Sequence, residues 1–258
     1  MKFTPRTIVG TSGWSIPRAA AERCPGEGTH LERYARVFAG AEINSSFYRS
    51  HTDKTFAKWA AATPPGFRFS VKMPRIITHE QGLRRGREPL RQFLDETAGL
   101  GEKRGPLLVQ LPPSHAFDLR VATRFFELVR GLYDGPVVCE PRHPTWFEPR
   151  AHRLLVDVRV ARVAADPARV PDAALPGGWD GLAYYRLHGS PRIYWSRYDD
   201  AAIARLAVDL RQRELNGDAW CVFDNTASGA ALENAFELEQ ALDRSRRVPD
   251  APDVVPAG

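Results

Sequence analysis

Eight short runs of aliphatic and β-branched residues alternate with amphipathic stretches from one end of the chain to the other. That order is the pattern of parallel strands joined by helical crossovers. The strand-like runs are Thr7–Gly10, Ala41–Asn44, Phe67–Lys72, Leu107–Leu111, Val137–Glu140, Arg159–Ala164, Ala183–Leu187 and Trp220–Phe223. Between them, apolar residues recur at helical spacing. Leu31, Tyr34, Ala35 and Phe38 follow Thr29, a predicted N-cap. Further stripes are Phe56, Trp59 and Ala60; Leu90, Phe93 and Leu94; and Val121, Phe125, Leu128, Val129 and Leu132. Leu154 and Leu155, then Ile203, Leu206 and Leu210, and finally Leu232, Ala235, Phe236 and Leu242 complete the set. The sixth crossover, DPARVPDAALPGGWDG, carries three prolines and a Gly-Gly pair and predicts a loop or a single helical turn.

Unbroken alternation over 258 residues predicts an α/β fold, a single (β/α)8 TIM-type barrel of eight parallel strands. An open dinucleotide-binding sheet is disfavoured, because TSGW follows the first strand where a glycine-rich phosphate loop would stand. The barrel is expected to fill residues 1–246, with a proline-rich tail over 247–258.

Composition narrows the function classes. Hydrophobic residues make up 43% and charged residues 26%, enough for a sizeable core in a globular protein. No apolar run is long enough to span a bilayer, so no membrane partner is expected. The opening MKFTPRTIVG lacks the apolar core of a secretory signal. Cys24, Cys139 and Cys221 are odd in number and far apart, which predicts a reduced, cytoplasmic setting without disulfides. A net charge of +5 invites a polyanion. The basic residues are nevertheless spread along the chain, and only five of 36 are lysine.

Barrels of this kind work at the C-terminal ends of their strands. Those ends are unusually polar here: EINSSFY (42–48), KMPRIITH (72–79), QLPPSH (110–115), EPRHPTW (140–146), RLHGSPR (186–192) and FDNTASG (223–229). Strand side chains alternate between faces. With the apolar face toward the helices, Glu42, Asn44, Lys72, Gln110, Glu140, Arg186 and His188 point into the barrel mouth, beside Asp224 and Asn225. Mixed charge in a partly desolvated mouth perturbs pKa values, as acid/base chemistry requires. The bland alternative is a salt-bridge plug capping the core.

Lys72 stands out in a chain that otherwise uses arginine; a buried amine suits anion binding or tuned proton transfer. Gly189, Ser190, Thr226, Ser228 and Gly229, with Arg186 and Arg192, suggest backbone phosphate binding or ordinary turn chemistry. Glu42, Glu140, Asp166, His188 and Asp224 come from several strands, as metal ligands do. No HxH or HExxH spacing supports a metal, and Lys72 and Arg186 compete for the carboxylates. No metal is expected and no particular cofactor is indicated. Trp14, Phe47, Tyr48 and Trp146 offer rings at the rim.

The ordered set TSGW, EINSSFY, SVKMPRIITH, LVQLPPS, EPRHPTW, YYRLHG and FDNT resembles the YecE-like family, domain of unknown function seventy-two. The likeness runs from about Ile8 to Leu242. It implies a TIM barrel and supplies no reaction. The family signature falls on Glu42, Asn44, Tyr48, Lys72, His79, Gln110, Glu140, Arg142, His143, Trp146, Arg186, His188 and Asn225. Asp224 departs from it, standing where an asparagine pair is expected.

The expectation is an enzyme acting on a small anionic substrate, phosphate- or carboxylate-bearing, as in a sugar or nucleotide. Glu140 or Glu42 would be the base, His188 its acid/base partner, and Lys72 and Arg186 the charge stabilisers. Asn44, Tyr48, His79, Gln110, Arg142, His143, Trp146, Asp224 and Asn225 would bind substrate. The rival is a non-catalytic nucleic-acid or nucleotide module using the same basic, aromatic-rimmed mouth.

Overall fold

The computed structural model describes residues 7–214 and 217–247. Every strand-like run forms a strand: β1 (Thr7–Thr11), β2 (Gly40–Ile43), β3 (Arg68–Lys72), β4 (Arg104–Gln110) and β5 (Val137–Glu140). The sixth run divides into β6 (Val160–Arg162) and β7 (Ala164–Asp166). A two-residue β8 (Gly177–Gly178) precedes β9 (Leu182–Leu187) and β10 (Asp218–Phe223). Helices α1 (His30–Tyr34), α2 (Asp53–Ala61), α3 (Arg87–Thr97), α4 (Leu119–Arg130), α5 (Pro149–Asp157), α6 (Asp200–Glu214) and α7 (Ala230–Arg247) lie between and after the strands. The sixth crossover is loop with one 3-10 turn over Pro171–Ala174, as its prolines dictate. Most of the expected proline-rich tail lies outside the described residues; Arg247, its first residue, ends α7.

The ladders are parallel except where β8 runs antiparallel to β6. They make two sheets, not the single eight-stranded sheet expected. One has the order β1-β10-β9-β7 and the other β2-β3-β4-β5-β6-β8. The division has two local causes. At Val163 the sixth run changes partner: Val163 N still donates to Cys139 O of β5 at 2.8 Å, whereas Ala164 pairs with Tyr185 of β9. Between β1 and β2 a ladder gives way to one bridge, Ser12 to Glu42, and a 2.8 Å bond from Gly13 N to Glu42 O. The backbones there nearly touch at Gly10 and Gly40. A Cβ on Gly10 would lie 2.2 Å from Gly40 O, so only glycine fits.

Alternation divides the core into two layers. Between sheets and helices lies the larger layer, including Phe69, Val71, Val109, Phe125, Phe126 and Leu155. A smaller cluster, drawn mainly from the strands, gathers Ile8, Leu108, Val138, Val163, Tyr184, Trp220 and Val222. Each fully buried side chain of this size contributes about 1.5–3 kcal/mol. The helices are placed by their own sequence. Thr29 and Glu32 form a reciprocal capping box at α1, and Asp118 caps α4 by accepting from Val121 N at 3.1 Å. On α4, Ala122, Phe125, Phe126 and Val129 are buried; Leu132 falls beyond the helix end. None of the described helices is long and apolar enough to cross a membrane.

Candidate functional site

The inner parity that puts Tyr184 in the core carries Arg186 and then His188 to the C-terminal end of β9. Arg186 has no solvent exposure and is the hub of the site. Its Nε donates to Glu42 Oε2 at 3.0 Å and its Nη2 to Glu42 Oε1 at 2.7 Å. Its Nη1 reaches Glu140 Oε2 at 2.6 Å, and Nη2 also meets Asp224 Oδ2 at 3.1 Å. One planar guanidinium thus ties the ends of β2, β5 and β10 to β9, a geometry that an ammonium lacks. Burial opposes its charge, but Glu42, Glu140 and Asp224 hold its pKa well above the usual value.

His188, 3% exposed, lies between two of these carboxylates. Its Nδ1 is 3.0 Å from Asp224 Oδ2 and its Nε2 is 3.2 Å from Glu140 Oε1. Both contacts are hydrogen bonds only if the ring is an imidazolium. Burial pulls the other way, yet Glu140 and Asp224 prevail and raise its pKa. Glu140 also accepts from Arg142 Nε at 3.0 Å. Against its burial, Arg186, His188 and Arg142 keep its carboxyl well below the usual range. Asp224 is lowered likewise, chiefly by Arg186 against desolvation.

Glu42 has neither oxygen free: Tyr184 Oη lies 3.0 Å from Oε2 and Ser12 Oγ 3.4 Å from Oε1, besides Arg186. Tyr184 Oη also meets Ser70 Oγ at 2.8 Å. Tyr184, Ser70 and Ser12 belong to this network but were not among the residues marked in the sequence. For Tyr184 the signal was present, since it shares the strand face of Arg186 and His188.

Lys72 differs from every other cation here. It is 6% exposed, and among the described residues its Nζ has no hydrogen-bond partner; instead it sits 4.1 Å above the Phe47 ring. Desolvation, and then Arg186, lower its pKa to about 8 despite the nearby carboxylates. His79 abuts the same ring edge-on, centroids 4.9 Å apart, with Nδ1 2.9 Å from Thr78 Oγ1. It comes from a π-helical turn over Ile76–Glu80, an irregularity frequent at functional sites. Burial and the charges of Lys72, Arg75 and Arg142 lower its pKa to about 4, leaving a neutral imidazole.

The remaining sequence-marked residues divide. Gln110 is 6% exposed, with Nε2 3.3 Å from Leu111 O, and Asn44 leads into the turn over Ser45–Phe47 with its buried Oδ1 unpartnered among the described residues. Tyr48 is 74% exposed on the rim. Trp146 is fully buried, its Nε1 bonded to His115 O, and His143 caps the turn over Pro144–Phe147. Asn225 ties loops together through Ser196 O and Asn234 Oδ1. Asp166 turns away to Tyr198 Oη at 2.6 Å. The glycine- and serine-rich loops after β9 and β10 bind each other: Ala227 N to Tyr194 O at 3.0 Å and Ser228 Oγ to Trp195 O at 2.5 Å. Among the described residues, no three His, Cys, Asp or Glu side chains are grouped to hold a metal ion.

A family model described as "Protein of unknown function DUF72" matches residues 8–257. The chain belongs to the DUF72 family. Among curated relatives it is similar to the UPF0759 protein YecE of Escherichia coli K12, 30% identical over 65% of this chain and 61% of that one. The chain thus matches about three fifths of that relative's length. It is also similar to the UPF0759 protein YunF of Bacillus subtilis, 23% identical over 91% of this chain and 94% of that one. Two DUF72 crystal structures share the fold. One, from Enterococcus faecalis, gives a TM-score of 0.79 at 20% identity over 92% of this chain and 95% of that one. The other, from Thermotoga maritima, gives 0.75 at 23% identity over 92% and 99%. For this DUF72 chain, then, the relatives supply the α/β fold and a family without an assigned activity. Chemistry must be argued from the site.

Proposed function

We propose that this protein is an enzyme that binds a small oxyanion-bearing substrate, a phosphate or carboxylate, at the C-terminal mouth and acts on it by proton transfer. The observation that carries this reading is Lys72: a buried ammonium without a hydrogen-bond partner among the described residues, set over the Phe47 ring at the end of β3. A buried cation without a partner is costly, and an anionic ligand removes that cost. Arg142, whose one edge is spent on Glu140, supplies a second cation, and both cations act on His79.

Pairs of titratable groups whose environments drive their pKa values apart mark acid and base roles. His79, kept neutral, can give or accept a hydrogen bond at the substrate. Lys72, lowered to about 8, suits an acid or a stabiliser of developing negative charge. Arg186, Glu42, Glu140, Asp224 and His188 act together as the frame that fixes Arg142 and the mouth. In that role Glu140 orients Arg142 and His188 locks Glu140. Glu140, held well below the usual carboxylate range by Arg186, His188 and Arg142, is a poor base at neutral pH.

The finer fold also belongs to this proposal. The two sheets, sharing the 160–166 run and bridged at Ser12–Glu42, together form one eight-stranded barrel whose ends converge on Arg186. One observation favours the second reading, a nucleic-acid module: Arg192 stacks 4.4 Å above Trp195, itself 46% exposed on the rim.

The test is thermal unfolding against a panel of phosphorylated metabolites, nucleotides, sugar acids and divalent metals. At about 100 times its dissociation constant a ligand stabilises by about 2.7 kcal/mol. A shift abolished by Lys72→Met supports the reading. A flat panel combined with RNA binding that weakens steeply with salt would overturn it in favour of the nucleic-acid module.

A further inference from the structure

The loop after β9 carries a residue that neither the strand-end motifs nor the charged network explains. Tyr194 has φ +65°, the left-handed region that a bulky aromatic side chain avoids and glycine accepts. Its backbone is pinned there from both sides. Tyr194 N donates to His188 O at 2.5 Å, and Tyr194 O accepts from Ala227 N at 3.0 Å. A loop that needed only this turn would be relaxed by glycine. Tyrosine at a strained position calls for a role for its side chain.

That side chain is directed at the site. Its ring meets the His188 ring edge-on, centroids 5.7 Å apart and planes at 88°. The phenol lies beside the Arg142 guanidinium. Yet Tyr194 is 43% exposed, so it covers His188 without being buried itself. Arg142 comes from the loop after β5 and Lys72 from the end of β3; Tyr194 approaches from the loop after β9. The hydroxyl, a donor able to turn toward a ligand, stands with the Arg142 guanidinium, and that guanidinium and Lys72 both act on His79.

We infer that Tyr194 is a ligand-contacting residue of the mouth, its phenol donating to the bound oxyanion alongside Lys72 and Arg142. This rests on the anion-binding reading above. The hydroxyl then selects for ligands whose anionic group can accept from three directions at once, and the ring keeps water from His188. Phosphate and carboxylate ligands share this chemistry, and the experiment separates them.

Affinities for inorganic phosphate, pyrophosphate, succinate and citrate are measured by concentration-dependent thermal shift. The proteins compared are wild type, Lys72→Met, Tyr194→Phe and Ile193→Ala. Tyr194→Phe keeps the ring over His188 and removes only the hydroxyl. The expected result is roughly tenfold weaker binding of whichever anion class binds, from loss of one charge-assisted hydrogen bond, with the ligand-free melting temperature unchanged. Ile193→Ala, an exposed side chain on the same loop, should leave affinity as in wild type. Loss in Lys72→Met with wild-type affinity in Tyr194→Phe overturns the inference and leaves the anion-binding reading standing. So does a lowered melting temperature without a change in affinity, which is a purely structural role. If no anion binds wild type, both fall together.

Discussion

Arg186 meets Glu42 edge to edge through two parallel hydrogen bonds, at 3.0 and 2.7 Å, with no solvent exposure on either residue. A bidentate pair so deeply buried is weak evidence for stability in itself, since desolvation offsets most of the attraction. Its consequence is geometric. Glu42, Glu140 and Asp224 come from three different strands and are held in one orientation by a single planar cation.

Removing that cation leaves three carboxylates facing one another in the interior. Arg186→Met is therefore expected to destabilise by about 3–5 kcal/mol, read from urea unfolding midpoints. Arg186→Lys should recover little, because one ammonium cannot reproduce the fork. A loss below about 1 kcal/mol in Arg186→Met would show that the frame is not held by this residue.

The same network sets an opposed pH dependence on its two sides. His188 has a raised folded pKa, so its contribution is complete below the unfolded value and is lost as pH rises through the folded one. Glu140 and Asp224 have lowered folded pKa values, so theirs is present above the unfolded carboxylate range and is lost as pH falls through the folded values. Stability measured by denaturant against pH should fall on both sides. His188→Gln should flatten the alkaline side, and an unchanged alkaline slope would show that His188 is not the group titrating there.

Gly10 tests the seam between β1 and β2. Gly10→Ala places a Cβ 2.2 Å from Gly40 O, a clash with backbone that no rotamer relieves. The expected cost is about 1–3 kcal/mol or more, as for overpacking. Gly66→Ala, where no atom lies within 4 Å, serves as the matched control and should change stability by less than about 0.5 kcal/mol. Equal effects at both positions would dismiss the close approach as a constraint.

Much of this was legible in the chain, for identifiable reasons. Period-two alternation placed Glu42, Lys72, Glu140, Arg186 and His188 on one face, because each stands at an even offset from its strand's inner residues. The strand runs were legible because apolar segments of four to six residues ended in loop chemistry. The change of partner at Val163 was not, since nothing in RVARVAAD marks where a continuous run leaves one neighbour for another. Trp146 and His143 look like rim residues in EPRHPTW, yet the turn over Pro144–Phe147 folds the tryptophan inward to bond His115 O. Tyr194 was invisible because left-handed φ is a property of the closed loop, imposed by hydrogen bonds from residues 6 positions before it and 33 after it.

Lys72 links the electrostatics of the mouth to a measurable titration. Its pKa of about 8 in the ligand-free protein means that the ammonium is present below that pH and is lost above it. A lowered folded pKa on a lysine signifies a cost of charging. That cost is fully felt below about 8 and is relieved between about 8 and the unfolded value near 10.4. Anion affinity should run the opposite way: constant below about 8, then falling about tenfold per pH unit above it, because the ligand requires the proton that the site gives up. Lys72→Arg keeps a cation across this range and should flatten the profile. Lys72→Met should abolish binding at every pH while making the ligand-free protein no less stable below pH 8, since a charge whose burial outweighs the pull of its neighbouring carboxylates has been replaced by an apolar chain of similar length. Affinity that stays flat from pH 7 to 10 in wild type would remove Lys72 from the ligand's first contacts, however deeply it is buried.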